Sequence, residues 1–259
     1  MVLRDDLGTP VDCPDRVAAV VSLVPSLTES VAATGRQLLV GATAWCTHPA
    51  DLDVQRIGGT KNPDVEAIIA LRPDLVLANE EENREPDIAA LRATGLAVWV
   101  TRIRTLPEAL ASLDAMLTRA CGLPRPAWLD AAAAAWANPG PVPGGPFDAV
   151  IPIWRRPWMV LGGDTFAGDL LARLGVRNRF AAHPERYPRI GLDRLRAAGA
   201  NLVVLPDEPY RFTAEDGPEA FPGLATALVS GRHLTWYGPS LAAAPRVLAA
   251  QLAAAAVRG

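Results

Sequence analysis

The sequence predicts an α/β protein of two lobes, and three observations support this. Apolar runs typical of strands alternate with helical segments, which indicates mostly parallel sheets. Residues 60–83 and 186–212 each run from a loop through a short helix and a buried strand into a polar loop. Residues 138–146, NPGPVPGGP, suit neither a helix nor a central strand and mark a boundary. We therefore expect an N-terminal lobe over residues 1–103, a helical linker over 104–138 and a C-terminal lobe over 139–259.

The first lobe begins with a buried strand over residues 17–24, a continuous valine-rich run that Pro25 ends. Ser26 and Glu29 have the spacing of a capping box, so a helix is expected to begin at Ser26 and to end near Gly35. The remaining predicted elements are strands at 38–43, 74–78 and 96–100 and helices at 64–71 and 86–94.

Helical periodicity continues through the linker over residues 106–120 and 127–137, with a break at 122–126. In the second lobe we expect strands at 147–153 and 201–205 and helices at 164–174, 192–198 and 239–257. The strands of both lobes open into loops at their carboxyl ends, which is where ligands of open α/β sheets bind.

Composition excludes several classes of protein. The chain has 259 residues, of which 50% are hydrophobic and 20% charged, so it can form a core. A net charge of −3 argues against binding of nucleic acid. Four glutamates follow the strand at 74–78, and they disfavour a polyanionic ligand near that loop; the alternative is a solvated acidic loop. They are Glu80, Glu81, Glu82 and Glu85.

The amino terminus and the cysteines predict a cytoplasmic location. Asp5 and Asp6 stand where an export signal needs basic residues, and no apolar segment follows them. Cys13, Cys46 and Cys121 are odd in number and lack metal-ligand spacing, so reduced thiols are expected. No apolar run reaches the roughly 20 residues that span a bilayer, so no membrane insertion is expected. The alternative is a trimmed chain that is periplasmic or extracellular.

No catalytic motif is evident, and no catalytic residue, intrinsic cofactor or resident metal is predicted. The three histidines, His48, His183 and His233, lie in separate segments without zinc spacing. Only His48 lies in a predicted carboxyl-edge loop, where it is a weak candidate for ligating a metal held by a chelate. Cys46 is a similar candidate, and for both the alternative is an ordinary loop residue.

Aromatic residues concentrate in the predicted loops. A wall of such side chains suits a large planar ligand, and the alternative role is packing and loop anchoring. Three other tryptophans, Trp99, Trp128 and Trp136, lie within predicted elements and are expected to pack. The loop aromatics are Trp45, Trp154, Trp158, Phe166, Tyr187, Tyr210, Phe212, Trp236 and Tyr237.

Six segments, in this order and spacing, resemble the helical-backbone, cobalamin-type periplasmic binding proteins, the substrate-binding components of ABC importers for cobalamin, haem and ferric siderophores. The resemblance extends over nearly the whole chain. The segments are RVAAVVSLVPSLTE (16–29), TKNPDVEAIIALRPDLVLANEEEN (60–83), PIWRRPWMVLGGDTF (152–166), PERYPRIGLDRL (184–195), LPDEPYRF (205–212) and LTWYGP (234–239).

The resemblance implies two Rossmann-like lobes joined by a helical backbone linker, with a ligand cleft between the lobes. It also implies that Glu66 and Asp193 dock onto arginines of an ABC permease; the alternative is that both are ordinary acids in the first turn of a helix. The positions it implies for ligand binding are Pro25, Ser26, Trp45, Lys61, Asn62, Asn79, Glu80, Asn83, Trp154, Arg155, Phe166, Tyr210 and Trp236.

The sequence leaves three candidate functions for this chain. The chain is expected to be a monomer. The first is non-catalytic binding of a large metal chelate or tetrapyrrole-like ligand for an ABC importer, with cobalamin or another corrinoid first and haem or a ferric siderophore next. The second is a cytosolic carrier or sensor of such a ligand. The third is an enzyme acting on a metal chelate, a chelatase or reductase, which the absence of a nucleophile–base pair disfavours.

Overall fold

The computed structural model describes residues 2–256, and within them the chain divides into two compact α/β units. The first unit contains the residues up to 103 together with 107–130 and 237–239, and the second contains the rest. The segment expected to form a linker, residues 104–138, is divided between the units, with 107–130 in the first and 104–106 and 131–138 in the second. Val257, where the last helix was expected to end, lies outside the described residues.

The first unit is built on five parallel strands, with an antiparallel hairpin near the amino terminus. The elements as far as the end of the helical segment are β1 (Val2–Arg4), β2 (Pro10–Asp12), β3 (Val20–Ser22), α1 (Pro25–Gly35), β4 (Leu39–Ala42), β5 (Gln55–Arg56), α2 (Val65–Ala70), β6 (Leu75–Asn79), α3 (Glu85–Ala93), β7 (Val98–Thr101), α4 (Leu106–Ala115) and α5 (Ala127–Trp136).

The parallel strands of this unit lie in the order β5-β4-β3-β6-β7. Strands β3 and β6 are buried along their whole length, as their continuous apolar sequences predict. Because β4 lies on one side of β3 and β6 on the other, the chain reverses its winding direction between β3 and β6. Such a topological switch point, at the carboxyl ends of the strands, is where α/β sheets bind ligands.

The second unit repeats this arrangement with four parallel strands in the order β11-β8-β12-β13. Its switch point lies between β8 and β12, on either side of which the chain winds in opposite directions. The elements are β8 (Phe147–Val150), β9 (Pro152–Trp154), β10 (Met159–Val160), α6 (Phe166–Arg173), β11 (Val176–Asn178), α7 (Leu192–Arg196), β12 (Leu202–Pro206), β13 (Ala225–Val229), α8 (Gly231–Thr235) and α9 (Ala244–Ala256).

Some local expectations are wrong. Val24, and not Ser26, is the N-cap of α1, and its apolar side chain makes no capping bond. Pro25 occupies the first helical position, so Ser26 is already inside the helix. The expected strand at 147–153 is two strands, since Pro152 starts the antiparallel ribbon β9–β10. The expected helix at 106–120 ends in a π-helical turn, Met116–Ala120, and a 3₁₀ turn, Pro239–Ala242, precedes α9.

The two acidic residues near the amino terminus anchor the hairpin β1–β2 to the first unit. Asp5 is buried, and its carboxylate pairs with Arg92 Nη2 at 2.8 Å. Asp6 Oδ2 accepts hydrogen bonds from Ser112 Oγ at 2.5 Å and from the backbone N–H of Arg102 at 2.9 Å. Burial raises the pKa of Asp6, although both hydrogen bonds lower it. These acids therefore belong to a folded domain.

Candidate functional site

Asparagine side chains shape the switch point of the first unit. Asn79 Oδ1 accepts hydrogen bonds from the backbone N–H groups of Glu81 at 2.8 Å and Glu82 at 3.2 Å, and Asn79 Nδ2 donates to Thr101 Oγ1 at 3.0 Å. Asn83 Oδ1 accepts from the backbone N–H of Asn79 at 2.9 Å. Both asparagines are buried, so in this structure they hold the loop after β6 in place.

Asn83 also joins this loop to its neighbours. Its Nδ2 donates to the carbonyl of Leu23, which directly follows β3, at 3.3 Å and to that of Thr60 at 3.0 Å. The structure thereby brings Asn79 and Asn83 together with the segment that contains Pro25 and Ser26. Pro25 is half-buried and Ser26 buried, so the surface that this segment offers comes mainly from Pro25 and the loop backbone.

Lys61 lies at the same edge. Its ammonium donates to the backbone carbonyl of Glu81. Burial raises the pKa of the Glu82 carboxyl, the charge of Lys61 lowers it, and the charge of Glu81 raises it again. Glu80 is exposed beside them. The single lysine of this edge is therefore engaged with the loop that carries the glutamates.

Trp45 is the most exposed of the seven tryptophans, with 66% of its surface accessible. It follows β4 in a loop that Arg56 holds, because the Arg56 guanidinium donates to the carbonyls of Thr43, Cys46 and Leu52 at 3.0 to 3.1 Å. Asn62 lies close to Trp45, because both side chains approach Gly59. The position that a Cβ of Gly59 would occupy is 2.7 Å from Asn62 Oδ1 and 3.4 Å from Trp45 Nε1. Trp45 thus presents an apolar face from an ordered loop.

The weak metal candidates of this loop differ in exposure. Cys46 is fully buried, where Thr28 Oγ1 donates to its Sγ at 3.0 Å, and burial raises its thiol pKa. It is therefore a packing residue. His48 is half-buried, with Nδ1 at 3.1 Å from Thr47 Oγ1. Across residues 2–256, no three His, Cys, Asp or Glu side chains are grouped so as to hold a metal ion.

A ladder of aromatic rings runs from the core of the second unit to its carboxyl edge. Phe221 meets Trp158 edge-on with ring centroids 5.4 Å apart, and Trp158 stacks on Phe212 at 6.1 Å. Phe212 contacts Tyr210 at 4.7 Å, and Tyr210 meets Trp154 edge-on at 5.6 Å. Phe212 and Phe221 are buried, whereas Trp154 is 41% exposed. We call these five residues the aromatic ladder; its outer end, Trp154 and Tyr210, is the part that a ligand can reach.

Arg155 supports this ladder. Its Nη1 pairs with Asp216, its Nη2 lies 2.5 Å from Glu219 Oε1, and its guanidinium lies over the ring of Trp158, 5.2 Å from the centroid. Tyr210 O–H donates to Asp216 Oδ2 at 2.5 Å, which raises the pKa of the phenol and lowers that of the carboxyl. Asp216 and Glu219 were not anticipated from the sequence, because they lie over 60 positions from Arg155.

The remaining predicted contacts of the second unit are largely buried. Trp236 Nε1 donates to Glu208 Oε2 at 2.9 Å, and only 7% of Trp236 is exposed. The pKa of the Glu208 carboxyl is raised by burial, and the hydrogen bond from Trp236 offsets part of that increase. Phe166 is the first residue of α6 and is also buried. These two rings offer little surface in this structure, and their contact with a ligand stays a prediction.

The chain matches the family model described as periplasmic binding protein over residues 20–98. Among curated proteins it is 28% identical to a vitamin B12-binding protein of Vibrio cholerae over 99 residues, which is 38% of this chain and 36% of the relative. The match thus spans about a third of that relative's length.

Solved structures match along nearly the whole chain. A periplasmic heme-binding protein from Pseudomonas aeruginosa has a TM-score of 0.71 at 26% identity, covering 90% of this chain and 92% of that one. The periplasmic vitamin B12-binding protein BtuF of Vibrio cholerae has a TM-score of 0.73 at 18% identity, covering 93% and 99%. The chain is thus similar to periplasmic binding proteins, in sequence over residues 20–98 and in fold over nearly its whole length. The expected α/β fold is confirmed, and these relatives are binding proteins.

The expectation of a cytoplasmic protein is wrong, because the matched family and structures are periplasmic. Two signals were misinterpreted. Asp5 and Asp6 anchor a folded hairpin and say nothing about export. All three cysteines are buried, and Cys121 has a thiol pKa raised to about 12 by burial, so they behave as small apolar side chains whatever the compartment. In residues 2–256, no helix has the length and apolar character needed to cross a membrane.

Proposed function

We propose that this protein is a non-catalytic substrate-binding protein of an ABC importer that binds a large, flat metal chelate. A corrinoid such as cobalamin is the first candidate, with haem or a ferric siderophore next. The observation that carries the proposal is the exposure of Trp45 and Trp154, each held by a fixed framework at the carboxyl edge of a parallel sheet. The vitamin B12-binding and heme-binding relatives support the class of ligand.

The physical basis is burial of aromatic surface without loss of conformational freedom. Trp154 is already packed against Tyr210, and the loop of Trp45 is already bonded to Arg56, so ligand binding orders few side chains. Ordering a flexible side chain costs roughly 0.5–1.5 kcal/mol, and a pre-ordered ring avoids most of this. Apolar rings with polar tips are suited to a macrocycle that has a flat face and amide edges.

Haem is the second candidate because a relative at 26% identity over most of the chain is heme-binding. Haem iron in proteins is ligated by His, Cys, Met or Tyr. Tyr210 is poorly suited to act as a tyrosinate ligand, since its hydrogen bond to Asp216 raises the pKa of the phenol. His48 is the other candidate at a carboxyl edge. We therefore rank haem after a corrinoid, whose cobalt needs no ligand from the protein.

Titration calorimetry of the purified protein with cyanocobalamin, haem and a set of ferric siderophores tests the proposal. At least one of these should bind with a Kd of about 1 μM or tighter, roughly −8 kcal/mol. Absorbance spectra of the same mixtures show whether the protein ligates the metal, because a new axial ligand shifts the absorption bands of haem and corrinoids. Failure of every chelate to bind would refute the proposal.

The absence of catalysis is also part of the proposal. Incubation with each bound chelate for several hours, followed by mass spectrometry, should return the chelate with its metal and substituents unchanged. If the chelate loses or gains its metal in the presence of the intact protein and not in its absence, the chelatase alternative is favoured instead.

We further propose that Glu66 and Asp193 dock onto an ABC permease. Both are exposed in the first turn of short helices, α2 and α7, which directly precede the central strands β6 and β12. Glu66→Lys and Asp193→Lys should abolish ligand uptake by the reconstituted importer while leaving the Kd for the ligand unchanged. Asp130→Lys, on α5, is the matched control, and uptake equal to wild type in both test variants would refute the docking role.

A further inference from the structure

The orientation of the Trp45 ring depends on the backbone of its loop, and the inference drawn from this rests on the proposed function. With 66% of its surface accessible, Trp45 has little packing of its own to fix the ring. The chain on both sides of it is nevertheless bonded. The N–H of Ala44 donates to the carbonyl of Gly58 at 2.8 Å. The carbonyl of Cys46 accepts a hydrogen bond from Arg56 Nη1 at 3.0 Å.

Arg56 is itself fixed to the sheet. It lies in β5 opposite Ala42, the last residue of β4. Its Nη1 donates to the carbonyls of Thr43 at 3.1 Å and Cys46 at 3.0 Å, and its Nη2 donates to that of Leu52 at 3.1 Å. These carbonyls lie at the beginning, within and near the end of the loop that joins β4 to β5. One side chain therefore ties the whole loop to the edge of the sheet.

A guanidinium is suited to this task because its five N–H donors form a rigid planar fork, whereas the ammonium of lysine is a compact point charge. A second arginine, Arg36, binds the same loop at a different place. Its Nη1 pairs with Asp51 Oδ2 at 3.0 Å, and its Nη2 donates to the Asp51 carbonyl. Of these two arginines, only Arg56 binds the backbone directly beside Trp45.

We propose that Arg56 is a positioning residue for ligand binding, which acts through Trp45 and not by contact with the ligand. Its three hydrogen bonds keep the exposed indole in a binding-competent orientation before the ligand arrives. Without them the loop samples other conformations. The apparent affinity then falls in proportion to the fraction of molecules in which the ring is correctly placed.

Relaxation of the indole N–H groups in ¹⁵N-tryptophan-labelled protein tests this role without any ligand. The Trp45 signal is identified by its absence from Trp45→Phe. In Arg56→Met, which keeps an apolar stem and removes the donors, the order parameter of the Trp45 indole should fall below about 0.6, the range of flexible groups. The buried Trp99 indole should remain rigid. Arg36→Met is the matched control and should leave Trp45 as in the wild type. Equal mobility of Trp45 in the wild type and in Arg56→Met would overturn the inference.

A double-mutant cycle tests whether Arg56 acts through Trp45. Calorimetric titration with cyanocobalamin and with haem should show that Arg56→Met raises the Kd of whichever binds by roughly 3-fold to 10-fold, since the ring must then be ordered on binding. In a Trp45→Ala background the same change should alter the Kd by less than about twofold, because the positioned ring is gone. Equal fold-changes in the two backgrounds would show that Arg56 contributes independently of Trp45, and would refute the role.

Two further controls keep each outcome decisive. Urea unfolding of Arg56→Met shows whether the variant is folded. If it is not, Arg56→Lys takes its place, because it keeps the charge and lacks the fork, and the same results are expected of it. If neither chelate binds the wild type, the proposed function fails on that result, and the relaxation of the Trp45 indole alone decides the role of Arg56.

Discussion

Replacing Trp45 by alanine provides the most direct test of the proposed binding surface. A tryptophan side chain buries roughly 150–250 Å² when fully covered. Since 66% of Trp45 is accessible, about 100–165 Å² remains for a ligand to cover. A flat ligand covers one face, or about half of that area, which is worth about 1–2 kcal/mol at about 25 cal/mol per Å². We therefore expect the Kd to rise by roughly tenfold, with a range of about 5-fold to 30-fold.

The assay is calorimetric titration of whichever chelate binds the wild type, alongside urea unfolding of each variant. Trp45→Ala should leave the free energy of unfolding nearly unchanged, because the exposed ring contributes little packing. Trp45→Phe should keep much of the affinity. Trp128→Ala is the matched control, since its half-buried indole donates to Thr34 Oγ1 on α1. An unchanged Kd in Trp45→Ala would show that the ligand does not contact this loop.

Three further changes have defined outcomes. Trp158→Ala should lower the free energy of unfolding by about 3 kcal/mol in urea titrations, because it removes the ring that packs between Phe212 and Phe221. A decrease of less than about 1 kcal/mol would contradict the packing described. Trp236→Ala should weaken ligand binding by roughly 1–3 kcal/mol in the same titrations if its ring contacts the ligand, and an unchanged Kd would remove it from the site. Burial raises the pKa of Asp6, so the stability that its protonated carboxyl contributes is full below the ordinary Asp value near 4 and is lost as pH rises through the raised pKa. The free energy of unfolding of the wild type relative to Asp6→Asn, measured by urea unfolding at several pH values, should therefore fall over that window. A difference that stays constant or rises would refute the assignment.

The central strands could be predicted from the sequence because each is a continuous apolar run. β3, β6 and β12 are buried along their whole length, and their sequences are apolar except for Ser22 and Asn79, the last residues of β3 and β6. Strands β5 and β11 escaped prediction because they have only two and three residues, too few to show a period. The hairpin β1–β2 depends on contacts with Arg92 and Ser112, which are distant in sequence.

The candidate site was less predictable than the fold. Trp45 lies in a loop and is exposed as expected, and Trp154 is exposed although it ends strand β9; periodicity could not show that Phe166 and Trp236 are buried. The pairing of Arg155 with Asp216 and Glu219 depends on the path of residues 207–219, which contain Gly and Pro turns and no regular pattern. Local sequence shows which residue types reach a sheet edge, whereas their partners are set by the conformations of loops.

The aromatic ladder has a consequence for how ligand preference changes during evolution. In the second unit a substitution that alters the outer rings also disturbs Phe212 and Trp158, which form part of the core, so a new preference there is coupled to a loss of folding stability. The Trp45 loop is anchored through backbone carbonyls bound by Arg56, and its side chains can be exchanged while those bonds remain. Divergence among related chains should therefore accumulate first in the loop after β4, and the rings of the second unit should change more slowly.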